Sequence, residues 1–89
     1  MMNNHKLVLV EWEDSSQPIS SWRYLSDAPE LEVILCASVG WIVDQNERVL
    51  MVAPYIGDYK SGGGAQGSGF IRIPSSAVTR IAALEEITC

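Results

Sequence analysis

The segment from Glu30 to Val43 constrains the fold more than any other part of the chain. Ten of its fourteen residues are apolar, and many of these are β-branched. A helix of this composition would be apolar on every side, whereas β-branched residues favour a strand. Gly40 interrupts the run, and a glycine inside a strand marks a bulge, a sharp bend or a close backbone approach. We therefore predict one long strand with an irregularity at Gly40, in a β-rich fold.

Three further strands are predicted from shorter apolar runs. They cover Lys6–Glu13, Arg48–Ala53 (after a four-residue turn at 44–47) and Phe70–Pro74. In the first of them Val8, Val10 and Trp12 share one face by the two-residue period of a strand. Leu7 and Leu9 make the other face apolar too, as expected in a small barrel or at a subunit contact.

The segment from Ser75 to Ile87 permits two interpretations. Val78, Ile81 and Leu84 recur every three residues, which favours a helix that begins at Ser75 or Ser76. The β-branched residues from Val78 to Ile81 also fit a short closing strand after one tight turn.

Two longer segments contain the turn-forming residues. Gln17–Pro29 is polar but includes Trp22, Tyr24 and Leu25, and these side chains predict a loop that packs over the body of the protein. Pro54–Gly69 contains six of the seven glycines and is predicted to be a second long loop.

Length and charge limit the class of function. A chain of 89 residues predicts a single domain over 1–89 with a small core, and self-association is a common way to bury more surface. Eleven acidic residues against six basic ones give a net charge of −5. This charge disfavours nucleic-acid binding, which depends on clustered cations.

The first apolar run, Leu7–Val10, is too short for a signal peptide or a membrane span, so a cytoplasmic location is expected.

The residues that could perform catalysis are few and dispersed. His5 is the only histidine and is expected in a frayed N-terminal tail. Cys36 is interpreted as a small core residue and Cys89 as a terminal thiol, so neither a disulfide framework nor a metal site is indicated. The acidic residues show no metal-ligand spacing. We therefore expect no enzyme activity, no metal and no cofactor.

Candidate binding residues lie in the two long segments and on one strand. The glycine-rich segment 61–69 is not a phosphate loop, because no Gly-Lys-Ser/Thr sequence or helix start follows it. It is either a plain hairpin loop or a lid that orders over a ligand. Trp22 is the best contact residue, whereas Trp12 and Trp41 are expected in the core. The complete candidate set is Trp22, Arg23, Tyr55, Tyr59, Lys60, Gly62, Gly63, Gly64, Gln66 and Arg72.

Two resemblances follow from these elements. The strand order, with Ile73–Ile81 as fourth strand, tight turn and fifth strand, resembles a five-stranded SH3-like or Sm-like barrel. That resemblance implies an all-β barrel with a short helical turn before or after the last strand. Three segments also resemble small bacteriophage and prophage proteins of unassigned role. They are Trp12-Glu13-Asp14-Ser15, Ser38-Val39-Gly40-Trp41 and Ile73-Pro74. This second resemblance implies the host cytoplasm as location but supplies no activity.

Three functions remain open at this point. The first is a phage accessory protein that binds a host protein as inhibitor or adaptor, for example against a host defence. The second is a homo-oligomeric sponge that sequesters a nucleotide-like small molecule between subunits, with aromatic residues and a glycine lid. The third, an Sm-like RNA binder, is disfavoured because Asp44, Gln45, Asn46 and Glu47 stand where such proteins carry cationic residues.

Overall fold

The computed structural model describes residues 5–15, 20–60 and 62–87. These residues form seven β-strands and two short 3₁₀ turns, with no α-helix among them, so the all-β prediction is confirmed. None of the described segments forms a helix long and apolar enough to cross a membrane. The strands are β1 (Leu7–Asp14), β2 (Ile34–Gln45), β3 (Val49–Ala53), β4 (Tyr55–Gly57), β5 (Gln66–Ser68), β6 (Ile71–Pro74) and β7 (Val78–Ala83). The 3₁₀ turns cover Leu25–Asp27 and Ser75–Ala77.

Five of the strands form one antiparallel sheet in the order β6-β3-β2-β1-β7, and β4 and β5 form a separate hairpin. The long strand β2 holds the sheet together because it has different partners along its length. It pairs with β1 from Ile34 to Trp41 and with β3 from Trp41 to Gln45. The predicted long strand is therefore confirmed, with its N-terminal boundary at Ile34.

Gly40 lies where β2 passes from one partner to the other. A methyl group at this position would lie 2.6 Å from Val52 Cγ1 and 2.7 Å from the carbonyl oxygen of Ala53. The glycine is thus required by a close approach of two backbones. The irregularity in strand register falls later, between Ile42 and Asp44.

The core is small and lies on one face of the sheet. Five residues from three strands form its buried centre: Val8, Val10, Leu50, Val52 and Ile73. Trp12 packs against this cluster, and its indole Nε1 donates a hydrogen bond to Ser38 Oγ at 3.1 Å. The predicted inward face of β1 is therefore confirmed.

The final described segment is a turn and a strand, so the helical alternative is wrong. The 3₁₀ turn Ser75–Ala77 directly precedes β7, and the amide of Ser75 donates to the carbonyl of Arg48 at 2.9 Å. β7 then pairs with β1. Pairing with β1 satisfies more backbone groups than an isolated short helix could, which outweighs the weak helical period.

Three further sequence predictions are corrected by the structure: the bounds of the turn after β2, the position of His5 and the conformation of the segment 54–69. The turn after β2 comprises residues 46–48, and the side chain of Asn46 organises it by accepting hydrogen bonds from the amides of Arg48 and Val49. His5 is half-buried, and its Nδ1 lies 2.9 Å from the carbonyl oxygen of Ile42, so it is bonded to β2 and not frayed. The segment 54–69 contains the β4–β5 hairpin and is not an irregular loop throughout.

Candidate functional site

The segment 20–33, here called the arm, connects the region after β1 to β2 and lies entirely on the surface. Trp22 and Leu31 are 102% and 105% exposed, and Leu25 and Tyr24 are 94% and 82% exposed. The prediction that the aromatic residues of this loop pack over the body is therefore wrong. The residue most strongly predicted for contact, Trp22, lies on this arm.

The arm's local sequence explains why it does not collapse onto the sheet. Its only regular structure is the 3₁₀ turn, closed by bonds from the amide of Asp27 to Tyr24 and from that of Ala28 to Leu25. Pro29 follows and cannot continue a helix. Four charged residues alternate with the apolar ones, and burying them without partners would cost several kcal/mol. They are Arg23, Asp27, Glu30 and Glu32.

An open concavity lies beside Trp22 on the arm. The described residues that line it are Trp22, Arg23, Tyr24 and Asp27, all from the arm itself. These residues offer an aromatic face, a guanidinium, a phenol hydroxyl and a carboxylate within one short stretch. Such a mixture of aromatic and charged groups is typical of residues that anchor protein interfaces.

The overall dimensions show that the chain exposes far more surface than a compact domain of its size. The Cα radius of gyration is 17.4 Å, whereas a compact chain of this length would have about 12 Å. The accessible surface is 7545 Å², against roughly 5,200 Å² for a folded monomer of this mass. The exposed apolar side chains of the arm contribute to this surplus.

The glycine-rich segment forms a second, separate surface. Tyr55 on β4 pairs with Ser68 on β5, and Gly57 pairs with Gln66, while Gly62, Gly63 and Gly64 lie in the connecting segment. Lys60 Nζ lies 5.6 Å from the centroid of the Tyr59 ring, within the range of a cation–π interaction. The hairpin thus presents Tyr55, Tyr59 and Lys60 on its own exposed surface.

Arg72 occupies a third position. It is exposed on β6 and borders a small pocket with Asp44 at the end of β2 and Asn46 in the β2–β3 turn. The ten candidate residues therefore lie on the arm, on the hairpin and on β6, and among the described residues the concavity beside Trp22 has no lining residue from the other two places. The described part of one chain thus does not bring Trp22, Arg23 and the glycine segment together at that concavity.

Sequence reasoning missed three residues of the arm, Tyr24, Leu25 and Leu31, as candidate contacts. The sequence does contain a pattern for them, because large apolar residues occur between prolines and acidic residues without any strand or helix period. That pattern predicts a loop that packs over the body of the protein. The distinction depends on whether the sheet has an uncovered face large enough to receive them, and local sequence does not contain that information.

Among the described titratable side chains, Arg80 Nη1 and Glu11 Oε1 form an ion pair at 2.7 Å, with both side chains about half exposed. Cys36 is half-buried outside the core cluster, and its thiol lies 3.7 Å from the carbonyl oxygen of Ile34. The prediction that Cys36 is a core residue is therefore wrong. Cys89, predicted to be a terminal thiol, lies outside the described residues. Over 5–15, 20–60 and 62–87, no three His, Cys, Asp or Glu residues are grouped so that they could hold a metal ion.

Comparisons of the chain with protein-family models, curated proteins and solved structures gave no match.

Proposed function

We propose that this protein binds a host protein without catalysis, as an inhibitor or adaptor, and that the arm is the element that docks. The observation that carries the proposal is the complete exposure of Trp22 and Leu31, with Tyr24 and Leu25 nearly as exposed. Large apolar side chains held in water cost free energy that burial against a partner would recover, at about 1.5–3 kcal/mol for each leucine-sized side chain. Four such residues on one short segment are enough to anchor an interface.

The charges of the arm indicate the kind of partner surface. Arg23 is its only cation, against the acidic residues Asp27, Glu30 and Glu32. The whole chain has the same sign, at −5. A complementary surface is therefore an apolar groove bordered by Lys or Arg. Opposite net charges would also accelerate association at low salt.

The scaffold under this proposal is an SH3-like or Sm-like barrel, and the chain is proposed to be a phage-type accessory protein. When the β4–β5 hairpin is treated as an insertion, the remaining strands lie in the order fourth-third-second-first-fifth. A 3₁₀ turn joins the last two of them. These two features, with the long second strand that changes partners, support the barrel interpretation. A phage accessory protein would act in the host cytoplasm.

The other two hypotheses have less support. A nucleotide sponge would have to bring Trp22 and the glycine segment together between subunits, because they belong to separate surfaces of the described chain. RNA binding would place phosphates beside two acidic residues, Asp44 at the end of β2 and Glu47 in the turn that follows it. Binding of a host protein through the arm requires neither.

The experiment is affinity capture from a bacterial host lysate followed by titration of the purified partner. The double variant Trp22→Ser/Leu31→Ser removes the two most exposed anchors, and Tyr55→Ser is the matched control at an exposed aromatic residue on the hairpin. We expect the double variant to bind the partner at least about 30-fold more weakly, since loss of a central anchor costs about 2 kcal/mol or more. Tyr55→Ser should bind within about threefold of wild type.

Two results would contradict the proposal. One is retention of the partner by the double variant with unchanged affinity, which would place the contact elsewhere. The other is failure of the wild-type chain to retain any protein that an unrelated acidic control does not. Thermal melting followed by circular dichroism should show that both variants fold, because none of the substituted side chains contributes to the core.

A further inference from the structure

Strand β2 has one edge without a neighbouring strand in the described part of the chain. β1 covers one side of it from Ile34 to Trp41, and β3 covers the other side only from Trp41 onward. The segment Leu35–Val39 is therefore paired on one side alone. We call its uncovered side the open edge.

The hydrogen-bonding groups on the open edge can be assigned from the ladder. The amide of Ile42 donates to the carbonyl of Lys6 at 2.9 Å, so Ile42 directs its backbone groups toward β1. Backbone direction alternates along an antiparallel strand. The odd-numbered residues Leu35, Ala37 and Val39 therefore direct their N–H and C=O groups away from β1, toward the open edge. Each of the three contributes one donor and one acceptor.

The side chains on this edge do not protect it. Leu35 is 77% exposed and Val39 is 50% exposed. From Val33 to Val43 the chain contains no charged residue and no proline. Proteins usually block exposed strand edges with lysine, proline, a bulge or a covering loop, because an unblocked edge pairs with other strands.

We propose that a second copy of this chain pairs with the open edge. The two β2 strands would run antiparallel about a twofold axis at Ala37, with Leu35 of each copy opposite Val39 of the other. An antiparallel edge centred on one residue is complementary to itself, which is the requirement for a symmetric dimer. The small side chain of Ala37 allows the two strands to approach at the axis.

The absence of charge along this edge makes a second copy an acceptable occupant. Two chains of net charge −5 repel each other, and an uncharged stretch is where they can meet without placing carboxylates together. The self-complementary edge supplies the backbone hydrogen bonds, and the dimer does not depend on the function proposed above.

Native mass spectrometry and analytical ultracentrifugation on the full chain test the proposal. The wild type should be dimeric at micromolar concentration. Ala37→Pro removes one N–H from the open edge and leaves the β1 ladder intact, because Ala37 does not bond to β1. Leu35→Lys introduces a charge on the same edge. We expect either variant to raise the dimer dissociation constant at least tenfold while the melting curve shows a folded protein.

The matched control is Ile87→Lys, the same change in character at a residue that is 88% exposed away from β2. It should dimerise as the wild type does. A monomeric wild type at 100 µM, on the order of a thousand times the dissociation constant of an ordinary specific complex, would overturn the proposal. So would dimers of unchanged affinity in both edge variants, or equal dissociation of the Ile87→Lys control.

Amide hydrogen exchange measured by NMR gives a second, residue-specific test. In the dimer, the amides of Leu35, Ala37 and Val39 should exchange slowly, and on dilution to monomer their exchange should become at least tenfold faster. The amides of Cys36 and Ser38 bond to β1 and should stay protected at both concentrations. Equal behaviour of odd and even residues on dilution would contradict pairing at this edge, whether or not the arm binds a host protein.

Discussion

Replacing Gly40 with alanine should destabilise the fold severely, because the added methyl group has no space. It would lie 2.6 Å from Val52 Cγ1 and 2.7 Å from the carbonyl oxygen of Ala53. The valine side chain could rotate, but the carbonyl belongs to the backbone of β3 and could move only with its strand. Overpacking of this kind costs about 1–3 kcal/mol, and occasionally more. The backbone contact places the expected loss at about 3 kcal/mol, a large part of the roughly 4–13 kcal/mol available to a domain of this length.

Urea unfolding followed by circular dichroism measures this loss. With a slope of about 1.5 kcal/mol/M for a small domain, the midpoint should fall by roughly 2 M. The control is Gly62→Ala, since nothing lies within 4 Å of a methyl group there. That variant should stay within about 0.5 kcal/mol of wild type. A loss below about 0.5 kcal/mol for Gly40→Ala, or equal effects of the two variants, would refute the close approach of β2 and β3.

Three other mutational experiments test the rest of the fold. Ile73→Ala should lower the free energy of unfolding in urea by about 2–5 kcal/mol, because Ile73 is fully buried. Ile81→Ala, at a half-exposed position, should lower it clearly less. A double-mutant cycle on Glu11 and Arg80 should give a coupling energy of about 0.2–1 kcal/mol, since the pair is largely exposed to solvent; a larger value would show a more buried pair. Asn46→Ala should lower the free energy of unfolding by about 1 kcal/mol in the same assay, because the amides of Arg48 and Val49 lose their acceptor. An unchanged free energy of unfolding would show that water replaces the Asn46 side chain as acceptor.

The strands were predictable where the two-residue period or β-branched content was strong. The spacing of Val8 and Val10 was enough to identify the inner face of β1. Gly40 predicted a bulge, a bend or a close backbone approach, and the structure shows the close approach. The β4–β5 hairpin was missed, because short strands rich in glycine have neither signal. The closing strand could be chosen over a helix only by reference to the order of the other strands.

The candidate site was only partly predictable. Trp22 was singled out because a tryptophan in a polar segment lacks an obvious place in a core. The orientation of the arm depends on tertiary packing, and the same residues would suit a loop folded down over the sheet. Likewise, the open edge of β2 arises because β3 is five residues long while β2 has twelve, a mismatch that becomes visible only once the pairing is known.

Limited trypsin digestion with and without the captured partner tests the central claim most directly. In the isolated protein the exposed arm should be cleaved after Arg23. Bound partner should slow that cleavage at least tenfold while cleavage after Lys60, on the exposed hairpin segment, continues at the same rate. An uncut Arg23 site in the free chain would show that the arm packs against its own sheet in solution. Equal cleavage at Arg23 with and without partner would show that the arm is not the docking element.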